Sequence, residues 1–259
     1  MDNLADMIWI ETKKALRSRM PLWTSLGSLF LPLGIAFLIF VSRNPEISRK
    51  LGLISTKANL IAYSATDWTA YLGLFGQIVA AGGFFLFVLI VSWVFGREFA
   101  DGTIKDILAV PVQRSSIILA KFIVTAAWSI VLTMVILIAG LATGAVIHLP
   151  EGSFRIILQG SIPLIITACL VIVSIMPFSF LASAGRGYLL PMGAAVLTLM
   201  MANITVLIGW GEYFPWAVPG LYVQGKGSLA PASFWIVVLT GLAGMMATSL
   251  WWKYADQTR

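Results

Sequence analysis

Residues 71–95 read YLGLFGQIVAAGGFFLFVLIVSWVF, twenty-five positions without a charged side chain. A helix needs about 20 predominantly apolar residues to cross the hydrocarbon core of a bilayer, and this run exceeds that length. A membrane-spanning strand would show about 10 residues of alternating polarity instead. The run is continuous and more than twice as long, so it reads as a transmembrane helix. Working outward, five more runs of the same kind appear: Met20 to Val41, Ser115 to Ile147, Ile156 to Ala182, Gly187 to Ile208 and Pro231 to Trp252. Pro21 and Pro32 lie in the first of these and Pro163 and Pro177 in the fourth, which membranes tolerate where neighbouring groups satisfy the freed carbonyls. Lys121 stands near one end of the third span, where a long side chain can snorkel to the interface. Only a few residues separate the fourth and fifth spans, which requires a tight hairpin. The expected architecture is an all-α integral membrane protein of six transmembrane helices, with residues 1–259 forming a single transmembrane domain.

Composition agrees with that reading. Of 259 residues, 59% are hydrophobic and 11% charged, against about 25% charged in ordinary soluble domains. The net charge of +6 does not point to nucleic acid, because the basic residues flank apolar spans, where they set orientation and meet anionic lipid. Cys169 is the sole cysteine, which excludes an intrachain disulfide and a cysteine metal cluster. The start, Met1-Asp2-Asn3, is acidic and then helical, unlike a cleavable signal peptide.

Six spans place both termini on one side. That side carries Lys13, Lys14, Arg17, Arg19, Arg97, Lys105, Arg114, Lys121, Arg186, Lys253 and Arg259. The other carries Arg43, Arg49, Lys50, Lys57, Arg155 and Lys226. The excess, eleven against six, puts both termini in the cytoplasm. Loops 42–70 and 209–230 are then external, and loop 96–114 is internal.

Three segments outside the spans invite a functional reading. Before the first span, Leu4, Ile8, Ala15 and Leu16 fall on one arc of a helix, with Asp6, Lys13 and Arg17 opposite. This is the pattern of an amphipathic helix lying in the interface, although Glu11 intrudes on the apolar side. The internal loop GREFADGTIKDILAVPVQR, residues 96–114, mixes both charge signs with apolar residues. Asp101 and Thr103 are placed to cap a short helix from Lys105 to Ala109 that ends near Pro111. Such a helix, projecting from a bundle, is a docking surface for a soluble partner. The third segment, residues 210–220, is aromatic and interrupted by proline and glycine. It suits a re-entrant or interfacial hairpin, since Trp and Tyr favour the membrane boundary; an ordinary aromatic belt accounts for the same residues.

The internal loop resembles that of permease subunits of ATP-binding-cassette transporters of the type-2 (ABC-2) export family. Those have a Glu after the second span, a Gly-Thr pair, a Pro followed by a basic residue, and a Lys at the start of the third span. Glu98, Gly102, Thr103, Pro111, Arg114 and Lys121 stand in that order here, with Asp101 beside them. Trp210, Tyr213, Phe214, Pro215 and Trp216 resemble an aromatic-Pro-Trp feature of bacitracin- and lantibiotic-immunity permeases, which sets the segment in the bacterial plasma membrane as a candidate substrate gate. The resemblance implies a short cytoplasmic coupling helix, with Glu98 contacting an ATPase or anchoring that helix and Arg114 holding its other end. It also implies two cytoplasmic ATPase subunits that bind ATP and Mg, and a second permease copy or a related chain. The cargo would be hydrophobic or amphipathic: an antimicrobial peptide, a drug or a lipid.

No catalytic constellation is present. The sequence has no Gly-rich phosphate loop ending in Gly-Lys-Ser/Thr, so ATP hydrolysis is assigned to another polypeptide and no cofactor to this one. His148 reads as an interface residue. The Met200-Met201 and Met245-Met246 pairs read as packing rather than copper ligands. Gln77, Asn203 and Thr205 either line a pathway or bridge helices. A secondary transporter would need ionisable groups at mid-membrane depth, which the spans lack apart from Lys121. A non-transporting scaffold or sensor subunit is also compatible with the sequence and is separated from a transporter by co-purification with an ATPase.

Overall fold

The computed structural model describes residues 2–43, 67–109, 111–150, 152–225 and 229–254. Most of the expected external loop 42–70 lies outside the described residues. Helix α1 (Asp2–Arg17) precedes α2 (Met20–Arg43), the first span. The second span is α3 (Trp68–Ile78), a π-helical stretch (Val79–Gly83) and α4 (Phe84–Ala100) in one continuous rod. A short α5 (Ile104–Ala109) leads into α6 (Arg114–Val146), the third span. The fourth span is α7 (Phe154–Ser174) and α8 (Pro177–Ala184), the fifth α9 (Leu189–Leu207) and the sixth α11 (Pro231–Tyr254); α10 (Val218–Gln224) lies between the last two. Six helices are thus long and apolar enough to cross a membrane, and no strand occurs among the described residues. The chain is an all-α, multi-pass membrane protein.

The second span is the spine of the bundle. Its 33 residues run roughly 50 Å at 1.5 Å per residue, well beyond the hydrocarbon thickness of about 30 Å. Around it, α3 packs on α7, α4 on α8, α8 on α11, and both α1 and α2 on α6. The fourth span is not one rod. Pro177 has no N–H to donate, the chain turns at Ile175–Met176, and α8 restarts with Pro177 in its first turn, where proline is tolerated. Backbone meets backbone where this break crosses α11. A Cβ on Gly244 would lie 2.5 Å from the Pro177 Cα, so only glycine fits the crossing. Hydroxyl and indole groups then tie the two helices together: Ser179 and Thr248 share a hydrogen bond of 2.7 Å, and Trp252 Nε1 donates to Ser183 Oγ at 3.0 Å.

Helix α9 is the least embedded span. Of its side chains only Pro191, Ala195 and Ala202 are buried, while Leu197, Met200, Ile204 and Leu207 face outward. Next to lipid such exposure costs nothing, because acyl chains are as apolar as leucine. Helix α1 differs from its expected arc. Its buried positions are Met7, Glu11 and Ala15, with Leu4 and Ile8 packed at the edge. Leu16 is 71% exposed and Trp9 61%. A carboxylate therefore sits at the centre of the face that α1 presses onto the bundle.

Candidate functional site

Glu11 is placed there because it has a partner. Lys121, about two turns into the third span, is completely buried and does not snorkel to the surface as its position in the sequence suggests. Its Nζ donates to Glu98 Oε1 at 2.7 Å, to the Val94 carbonyl at 2.8 Å and to Glu11 Oε2 at 3.2 Å. Lys14 donates to Glu11 Oε1 at 2.8 Å and to Glu98 Oε1 at 3.1 Å. The four charges form a closed, alternating ring: Lys121, Glu98, Lys14, Glu11. Each ion has two neighbours of opposite sign, and the sum is zero. Burial pushes the Glu11 carboxyl upward, but Lys121 and Lys14 outweigh it and hold the group below its ordinary range. Burial likewise lowers the Lys14 ammonium, and Glu11 and Glu98 more than reverse this. Removing one partner of a buried ion pair leaves an uncompensated charge, at a cost of about 3–5 kcal/mol. The Oε2 atom of Glu98 is buried without a hydrogen-bond partner among the described residues.

The loop leaves the ring abruptly. Asp101 closes the last turn of α4, its N–H bonding the Arg97 carbonyl at 2.8 Å, and Gly102 takes φ +70°, a conformation that glycine adopts without strain. The Asp101 side chain pairs with Arg97 Nε at 3.2 Å rather than capping the next helix. Thr103 opens α5 through its backbone carbonyl, which accepts from Asp106 and Ile107. In α5, Ile104 is buried against the bundle while Lys105 and Asp106 are exposed. Pro111 lies exposed after α5, and Arg114 begins α6. Its Nη1 donates to the Trp252 carbonyl at 2.9 Å, placing a cation at the C-terminal end of the sixth span, where the helix dipole favours one. Glu98 and Lys121 thus come together directly; Asp101, Gly102, Thr103, Pro111 and Arg114 flank the short helix α5.

At the other end, Trp210 and Tyr213 are exposed, and Phe214, Pro215 and Trp216 are half-buried. The chain then turns inward, and α10 packs on α3 and α7. The Trp216 ring stacks edge-on to Phe178 at 6.3 Å, and Phe178 to Phe84 at 5.5 Å. Phe84 is sixteen residues along the second span from Trp68, roughly 24 Å of helix, so Trp216 sits well inside the bundle rather than in a boundary belt. It also walls a cleft of about 220 Å³ with Gln77, Ala81, Asn203 and Gln224. Gln77 and Ala81 border a second cleft, of about 490 Å³, against Leu31 and Ile35 of α2. A third, of about 390 Å³, is walled by Trp23, Trp93, Tyr188 and Met192. The three follow one face of the second span, from Leu74 to Trp93, between the first and fifth spans. Among the described residues, no charged side chain lines any of them. Thr205 turns its hydroxyl to the Ala202 carbonyl of its own helix and does not line them.

A family model described as "ABC-2 family transporter protein" matches residues 7–203, three-quarters of the chain. The chain belongs to the ABC-2 transporter family. It is also 26% identical over 187 residues to the bacitracin transport permease protein BCRB of Bacillus licheniformis, covering 69% of this chain and 88% of that protein. No solved structure matches it. Membership of the ABC-2 family implies association with an ABC ATPase subunit. All four members of the charge ring lie inside the matched stretch, whereas the Trp210–Trp216 segment lies beyond it.

Within this ABC-2 permease, sequence reasoning missed the part played by Glu11 and Lys14. A signal was available. An acid on the apolar face of an interfacial helix and a lysine in an otherwise uncharged span each need a partner, and each is the other's. Sequence patterning also gave no sign of the π-helical stretch Val79–Gly83, the kind of irregularity that recurs at functional sites.

Proposed function

We propose that this chain is the membrane-spanning permease subunit of an ATP-driven exporter. It works with two cytoplasmic ATPase subunits, which bind Mg and hydrolyse ATP, and beside a second permease copy or a related chain. The observation that supports this reading best is the short helix α5, with Lys105 and Asp106 exposed, rooted beside the charge ring. A short charged helix at one end of a bundle can receive a push from a soluble partner. The excess of basic residues at that end supports a cytoplasmic placement for it and for both termini. The chain itself binds cargo and converts motion.

The cargo is hydrophobic or amphipathic. The clefts along the second span offer apolar and aromatic walls with the carboxamides of Gln77, Asn203 and Gln224 as their main polar groups. A cargo drawn laterally from lipid keeps its apolar part out of water, and the carboxamides suit neutral hydrogen-bonding groups such as peptide amides. Similarity to a protein named for bacitracin transport favours a membrane-active peptide over a drug or lipid. Expressed with its ATPase in a sensitive strain, the chain should raise tolerance to bacitracin, and Gln77→Leu with Asn203→Leu should reduce that gain. Tolerance that persists when the ATPase is disabled would point to a scaffold or gradient-driven carrier. Stimulation of ATP hydrolysis only by small hydrophilic solutes would overturn the cargo class alone.

A further inference from the structure

The ring holds more charge than adhesion requires. Met7 and Ala15 already press the same face of α1 onto the bundle, and an apolar residue at position 11 would adhere at less cost than a buried ion. What the charges add is direction. Apolar contact is non-directional, whereas a closed ring of charge-assisted hydrogen bonds fixes three helices in register. Glu98 is the member that needs fixing. It stands three residues before Asp101, and the chain beyond it turns at Gly102 with φ +70°. Both lysines bond the same oxygen, Oε1, and among the described residues Oε2 has no partner. Among those residues the two lysines aim the Glu98 carboxylate, and Lys14 is in turn held by Glu11.

We infer that Glu11 and Lys14 are positioning residues for the coupling loop: through the ring they bind α1, the end of the second span and the start of the third into one body. Displacement at the end of the second span then passes to the third span at Lys121 and to α1 at Lys14 together. Helix α1 moves with this body and is not a passive float on the lipid surface. The role in coupling rests on the exporter reading; the hold on α1 does not.

Two measurements on the complex with its ATPase separate these parts. In a Cys169→Ala background, Ala15→Cys reports whether α1 stays seated, since Ala15 is buried. Glu11→Gln or Lys14→Gln should speed its labelling by a soluble maleimide at least about tenfold, the scale of a lost charge-assisted bond. In proteoliposomes the same variants should move several-fold less peptide probe per ATP hydrolysed. The fourfold inversion E11K/K14E/E98K/K121E restores every opposite-sign contact and should recover both readouts. If the Gln variants do not accumulate, Glu11→Asp and Lys14→Arg, which keep charge but change reach, should shift both readouts in the same direction. Labelling and peptide-per-ATP values equal to the parent in all these variants would overturn the proposal. So would an inverted variant that accumulates normally yet recovers neither. A parent complex that moves no peptide with ATP defeats the exporter reading, and the labelling arm then still decides whether the ring seats α1.

Discussion

The indole Nε1 of Trp216 donates to the carbonyl of Ser174 at 2.8 Å, across a break in the fourth span. In an uninterrupted helix that carbonyl would receive the N–H of Phe178, which bonds Ile175 at 3.0 Å instead, and Pro177 has no N–H to give. A buried carbonyl without a partner is costly in lipid, where no water replaces the bond. The segment thus completes the hydrogen bonding of a transmembrane helix, which explains why a tryptophan from the loop between the fifth and sixth spans reaches so far in.

Trp216→Phe keeps the ring and removes the donor. It should lower the stability of the purified protein by about 1–3 kcal/mol, the cost of stranding a buried polar group. Trp210→Phe, at a site 68% exposed, should be neutral. Thermal unfolding in one detergent compares them, and equal midpoints for the two variants would show that the Ser174 bond carries no weight. Trp216→Ala also vacates the contact with Phe178, so any transport defect it causes must be corrected for lost protein.

The charge ring predicts a broad pH plateau for the seating of α1. Glu11 is held below its ordinary range, so its contribution is present above the unfolded value and is lost as pH falls through the lower, folded one. Lys14 is held above its ordinary range, so its contribution is complete below the unfolded value and is lost as pH rises through the higher, folded one. Amide exchange in α1, corrected for the intrinsic rate, should stay protected from about pH 5 to 10 and loosen outside that window. A transition centred near neutrality would mean that other groups govern α1.

The orientation proposed from the basic asymmetry is open to direct measurement. In the Cys169→Ala background, a cysteine at exposed Tyr213 should react with a membrane-impermeant reagent in intact cells. One at exposed Gln113 should react only after lysis. Reversed labelling would place both termini outside and remove the ATPase from reach of α5.

The six spans were legible because each buries its backbone polar groups within itself, so length and hydropathy suffice. The break at Ile175–Met176 was half-visible in Pro177, since proline marks a lost donor but not which group replaces it. Trp216 could not be assigned to Ser174 without tertiary structure: a Trp in an aromatic loop reads as a boundary residue. Glu11 looked like a flaw in an amphipathic pattern and Lys121 like a snorkelling lysine. Each was read against its own helix, and the ion pair between them joins residues more than a hundred positions apart.

Close backbone contact at the sixth span supplies a last test. The ideal Cβ position of Gly244 lies 2.5 Å from the Pro177 Cα and 2.8 Å from its Cδ, atoms of a rigid ring at a helix start that cannot swing aside. Gly34, on the first span, has open space at its Cβ position. Gly244→Ala should therefore force α8 and α11 apart, with an overpacking cost of about 1–3 kcal/mol. The bonds of Ser179 to Thr248 and of Trp252 to Ser183 should weaken with it, since they lie on the same contact. Gly34→Ala should be neutral or slightly stabilising, because alanine favours helix over glycine by about 1 kcal/mol. Unfolding midpoints measured side by side decide the matter, and a Gly244→Ala protein as stable as Gly34→Ala would mean that the two helices cross less tightly than described.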